Sequence, residues 1–124
     1  MGYTMGNPEM DIQYESDSIK RVFENERKLF KKFGEKRARL VQQRLYELLA
    51  ADRLDDLRYL PGPRLHQHTR GKGQKKAVFS VDLDHPYRLL FVVGHDLEPE
   101  LPGGGVDWSR VTRIIITGIE DPHG

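Results

Sequence analysis

The sequence has no cysteine. This excludes a disulfide framework, a thiolate nucleophile and any sulfur-based zinc site, and it suits a reducing compartment. Long apolar runs are missing too: nowhere do the roughly 20 consecutive apolar residues of a membrane span accumulate. The first ten residues, MGYTMGNPEM, offer neither the basic start nor the apolar stretch of a secretory signal. The expectation is a soluble, cytoplasmic protein with no membrane partner. Net charge is nearly absent, at +1, but its distribution is uneven. From Arg64 to His95 six Lys/Arg stand against Asp82 and Asp84, whereas from Asp96 onward two arginines stand against six acids. The chain is therefore polarised into a basic stretch and an acidic one.

With 124 residues, a single core without metal or disulfide staples is attainable, and one domain is expected. Met5 and Met10 are alternative starts, so residues 1–9 are set aside as a leader segment outside a fold running from 10 to 124. DIQYES (11–16) alternates as a half-buried strand does. Asp17 or Ser18 then caps a helix over 19–33, whose apolar positions Ile19, Val22, Phe23, Leu29, Phe30 and Phe33 share a face. Gly34 stands where a C-terminal glycine belongs. A second helix over 35–51 carries Ala38, Val41, Leu45, Leu48 and Leu49, and so short a turn predicts an antiparallel helical hairpin.

The connector DRLDDLRYLPGPR is expected to be anchored by Leu54, Leu57 and Leu60 before Pro61-Gly62-Pro63 stops any helix. The period then changes to two. RLHQHT reads as a weak strand, and KAVFSVD as a strong one with Ala77, Phe79 and Val81 on one face. After the turn DLDHP, YRLLFVVGH is apolar enough to be central in a sheet. DLEPELPGGGVDWSR (96–110) reads as an exposed loop pinned by Trp108, and VTRIIITGIED as the last strand. The order β-α-α-β-β-β, a helical hairpin on a mostly antiparallel sheet, defines an α+β domain.

Four features offer chemistry. The basic loop RLHQHTRGKGQKK suits a nucleic-acid backbone or, alternatively, a solvated hairpin guarding a sheet edge. His66 and His68 lie two apart, hence on one side of a strand. They would hold a metal only with a third ligand from His85, His95 or His123, and no metal or other cofactor is expected. Arg88 interrupts an apolar strand, which suits either an anion clamp or a salt bridge to Asp82, Asp84 or Asp121. His123, next to last, has the side chain whose ordinary pKa fits proton transfer at neutral pH.

Together these residues resemble the HigB branch of the RelE/ParE toxin superfamily, over essentially 10–124. The resemblance rests on LPGPRLH entering the sheet, a basic glycine-containing turn, FSVDLDHPYRLLF, and the closing IEDPHG. Ser80, Tyr87-Arg88-Leu89, Phe91, Asp121 and His123 fit the family pattern. Pro122 replaces the family's terminal tyrosine, and the basic turn is longer than usual, leaving Arg70 and Lys72 as equal candidates for the family's lysine. The resemblance implies the toxin of a type II toxin–antitoxin pair that cleaves mRNA on the ribosome without metal. In that reading His123 transfers protons, Asp121 orients it and Arg88 clamps the phosphate, while Arg64, His66, Arg70, Lys72, Lys75, Lys76 and Tyr87 bind RNA. The implied partners are the ribosome, mRNA and a helix-turn-helix antitoxin resembling HigA; the chain is monomeric alone and hetero-oligomeric with the antitoxin. Two alternatives stand beside it: a non-catalytic toxin of this fold that binds the ribosome or DNA gyrase, and a plain interaction module.

Overall fold

The computed structural model describes residues 9–69 and 76–121. Arg70, Lys72, Lys75, Pro122, His123 and most of the expected leader lie outside the described residues. Strand β1 (Asp11–Tyr14) leads into three helices, α1 (Asp17–Phe23), α2 (Glu26–Phe33) and α3 (Glu35–Ala50). Strands β2 (His66–Gln67), β3 (Val78–Asp82), β4 (Arg88–Val93) and β5 (Arg113–Glu120) follow. The sheet order is β1-β5-β4-β3-β2, with β1 parallel to β5 and every other pairing antiparallel. The domain is α+β, and β4 takes the central place its apolar sequence predicts.

The helix expected over 19–33 is two helices. Asn25 breaks it: its side chain accepts from Lys28 N at 3.0 Å, capping α2, while Glu24 N donates to Lys20 O at 2.9 Å and closes α1. Asparagine competes for backbone partners in this way, which favours caps over helix interiors. The cap of α1 is Ser16, whose Oγ accepts from Ile19 N at 3.2 Å, rather than Asp17 or Ser18. Gly34, at φ +81°, alone joins α2 to α3. Glu26 meets Gln42 while Phe30, a turn later, meets Arg39, a turn earlier, so this pair runs antiparallel as predicted.

The core lies between the helices and one face of the sheet. Leu29, Ala38, Val41 and Leu48 pack there against Phe79, Val81, Leu89, Phe91, Ile114 and Ile116, all fully buried. Each of these side chains larger than alanine contributes about 1.5–3 kcal/mol by leaving water. Leu54 and Leu57 anchor the connector through a short 3₁₀ turn (Leu54–Leu57), but Leu60 and Leu49, both expected inside, are exposed. Pro61 follows Leu60 and turns the chain outward, and Leu49 lies beyond the buried stripe set by Val41 and Leu48. Trp108 does pin the 96–110 loop: its indole N–H donates to Gln67 Oε1 at 2.8 Å and its ring meets Phe79 edge-on.

Candidate functional site

Alternation along β4 sends Leu89, Phe91 and Val93 into the core and so places Arg88 on the opposite, open face. Arg88 is in register with Asp82 on β3 and Glu120 on β5. Its Nη1 lies 3.9 Å from Glu120 Oε1, and both side chains are half-exposed. The sequence offered Asp82, Asp84 or Asp121 as partners; the structure pairs Arg88 with Glu120. Asp84 is held instead by a two-pronged bond from Arg37, at 3.0 and 3.1 Å. A pair as long and exposed as Arg88–Glu120 contributes little to stability, so the guanidinium can meet an incoming anion at small expense to the fold.

Glu120 reaches that face because of a β-bulge. Leu90 pairs with Gly118 but Phe91 pairs with Ile116, leaving Thr117 as the extra residue. Gly118, at φ +146°, accommodates the kink. The bulge reverses the alternation, so that Ile119 packs against the core and Glu120 falls beside Arg88.

Arg88 forms part of an open cleft of about 670 Å³. One wall is the connector from Arg58 to Leu65, the other is the turn from Asp82 to Tyr87, and His66 and Ser80 lie between. Arg58, Arg64 and Arg88 line it together with His66 and His85, whereas Asp82 is its one lining carboxylate among the described residues. Arg58 is tightly paired with Asp55 at 2.7 Å, which leaves Arg64 and Arg88, each in a longer pair, as the cations best placed to meet a polyanion. Arg64 stands at φ +46°, a left-handed conformation that costs a non-glycine residue about 1–2 kcal/mol. Its guanidinium is largely exposed, 3.6 Å from Asp82 Oδ2, and strain at an exposed cation lining a cleft is the kind that accompanies binding.

The cleft walls are tied together from behind by Arg44 of α3, the one charged side chain counted as buried among the described residues. It donates to Asp82 O at 2.6 Å, to Gly62 O at 3.1 Å and to Glu47 Oε1 at 3.0 Å. Asp82 N also donates to Pro63 O at 2.7 Å. Tyr87 is fixed by Arg37, whose guanidinium lies 3.4 Å over the ring centroid.

The two strand histidines behave differently. His68 Nε2 is 2.8 Å from Ser80 Oγ, which helps to explain why Ser80 is only 1% exposed on the open face. The His68 pKa is lowered, first by burial and then by His66 and Arg88, with Glu120 opposing. His66 is exposed, its ring edge-on to that of His68 at 4.6 Å. One histidine therefore packs and the other faces outward. Among the described residues no group of three or more metal-binding side chains is present.

The structure thus brings Arg64, His66, Tyr87 and Arg88 into one cleft. Lys76 is not with them: it precedes β3 at the other end of a strand spanning roughly 14 Å, and its Nζ donates to Val93 O at 3.1 Å. Asp121 directly follows Glu120 and is exposed. His123, Arg70, Lys72 and Lys75 lie outside the described residues. Sequence reasoning missed Arg44, Arg58 and Tyr59. The signal for the last two was the tight LRYLPGPR stretch, where prolines and buried Leu57 force neighbours outward. No protein-family model, curated protein or solved structure matches the chain. What fold and site define is an α+β domain with a cationic cleft on its sheet. No helix among the described residues is long and apolar enough to cross a membrane.

Proposed function

We propose that this chain is a HigB-like toxin of the RelE/ParE superfamily, a metal-free, ribosome-dependent mRNA endoribonuclease of the bacterial cytoplasm. The observation that carries the reading is the meeting of Arg88, Arg64 and His66 in one cleft on the open face of the sheet. The RelE-like order, β-α-α-β-β-β, follows if α1 and α2 count as one interrupted helix and the two-residue β2 as an added edge.

Cleavage needs the 2′-hydroxyl to lose a proton and attack phosphorus, forming the new P–O2′ bond while the P–O5′ bond breaks. The 5′-oxygen leaves with a proton, and the products end in a 2′,3′-cyclic phosphate and a 5′-hydroxyl. His123 is assigned proton transfer, with Asp121 orienting it. Arg88 pairs with the phosphate as its charge grows, and Arg64 holds the adjoining backbone. With no covalent intermediate, positioning and electrostatics supply the rate. A helix-turn-helix antitoxin resembling HigA is the partner that silences it.

Pro122 favours a second reading, since proline supplies neither the ring nor the hydroxyl of the family's tyrosine. That reading is a non-catalytic toxin of the same fold that occupies the ribosome or DNA gyrase. The deciding experiment adds the purified protein to ribosomes programmed with one mRNA and examines the cut ends. Expected are fragments with cyclic phosphate ends, lost in Arg88→Ala and His123→Ala. Intact mRNA with translation still blocked would support the binder; intact mRNA with translation and gyrase both unaffected would remove the toxin reading.

A further inference from the structure

Tyr59 is 82% exposed and lies on the connector wall of the cleft. An aromatic ring so open to water gains nothing for the core, yet its backbone is firmly held. Leu57 before it is buried, Leu60 N donates to Leu57 O at 3.2 Å, and Arg44 grips Gly62 O just beyond. The ring is thus displayed on a stapled turn.

Neighbouring rings are already engaged. Arg37 covers Tyr87, while Arg58 sits 4.3 Å over Trp108, which also meets Phe79. Tyr59 makes no ring or cation contact among the described residues, so its faces are available. Arg64 and Arg88 line the same cleft, whereas the Arg58 guanidinium is paired with Asp55 at 2.7 Å. A free aromatic face next to a track of cations is the arrangement that binds single-stranded nucleic acid, the cations following phosphates while the ring stacks on an unpaired base. A base inside a duplex has both faces covered and cannot use it.

We propose that Tyr59 is a base-stacking platform, which makes the cleft's ligand an unpaired, single-stranded stretch of RNA; this rests on the nucleic-acid reading of the cleft given above. The test measures binding, at low salt, of a short single-stranded oligoribonucleotide, the same oligomer with an abasic centre, and its duplex. Tyr59→Ala should weaken the intact single strand about tenfold, Tyr59→Trp should restore it, and the abasic oligomer should not distinguish the three proteins. The duplex should be equally insensitive. Arg88→Ala should weaken intact and abasic oligomers alike. If Arg88→Ala and Arg64→Ala weaken binding while Tyr59→Ala does not, stacking is overturned and the cationic cleft stands. If neither arginine matters, the cleft reading falls and the platform with it.

Discussion

Arg44 Nε donates to the backbone carbonyl of Asp82 across a separation of 38 residues, at 2.6 Å. This bond joins α3 to the end of β3, and with the companion bond to Gly62 O it sets the distance between the two walls of the cleft. The guanidinium is buried but meets two carbonyls and a carboxylate, so its desolvation is offset by good geometry.

Arg44→Met keeps much of the side-chain volume while leaving both carbonyls and Glu47 without this partner. Removing one member of a buried charged network costs about 3–5 kcal/mol. Chemical denaturation should show a loss of that order, with Arg44→Lys intermediate because an ammonium cannot reach all three acceptors in the same fork. A loss under about 0.5 kcal/mol, the size of an ordinary surface substitution, would mean the clamp is dispensable.

Arg64 separates charge from strain. Arg64→Gly and Arg64→Ala remove the same guanidinium, but only glycine is at ease at φ +46°. Both should weaken RNA binding equally, while the glycine variant should melt above the alanine variant. Equal melting temperatures would show that the left-handed backbone stores no strain.

Glu120→Gln removes the carboxylate that competes for Arg88. Because the pair is half-exposed, stability should change by less than about 0.5 kcal/mol. Affinity for a short RNA should rise severalfold, and Arg88→Ala should cancel the rise. Unchanged affinity in Glu120→Gln would show that Arg88 does not take up the anion.

His68 predicts a pH effect on stability. Its folded pKa lies below the ordinary 6.5, so the folded state binds fewer protons than the unfolded state through that region. Stability is therefore full above about 6.5 and falls as acid is added. His95, lowered first by burial and then by Arg113, acts in the same direction. Melting temperatures measured from about pH 7 down to about pH 5 should fall, less steeply in His68→Gln and least in a variant lacking both histidines. Identical slopes for native and His68→Gln would place the acid sensitivity elsewhere.

Much of the fold could be read along the chain because it is fixed locally. Val41 and Leu48 face inward by helical spacing, Phe79 and Val81 by strand alternation, and Gly34 ends one helix and begins the next because no side chain obstructs its φ of +81°. Those signals involve residues a few positions apart, so composition and periodicity carry them. Even the break at Asn25 was locally written, though the apolar stripe running past it concealed a cap that depends on one side-chain bond.

The site was not local. Arg88 was conspicuous in its apolar strand, but its neighbour Glu120 depends on a bulge near Thr117 that shifts the alternation of a strand far along the chain. The union of Arg58, Tyr59 and Arg64 with Arg88 depends on Arg44 holding Gly62 and Asp82 together. Local spacing accounts for most of the helices and strands and for the inward faces of Val41, Leu48, Phe79 and Val81, though not for the break at Asn25 or the exposure of Leu49. Which cations share a cleft was settled in three dimensions, because register, bulge position and the Arg44 clamp are set by bonds between residues that become neighbours only when the sheet closes against α3.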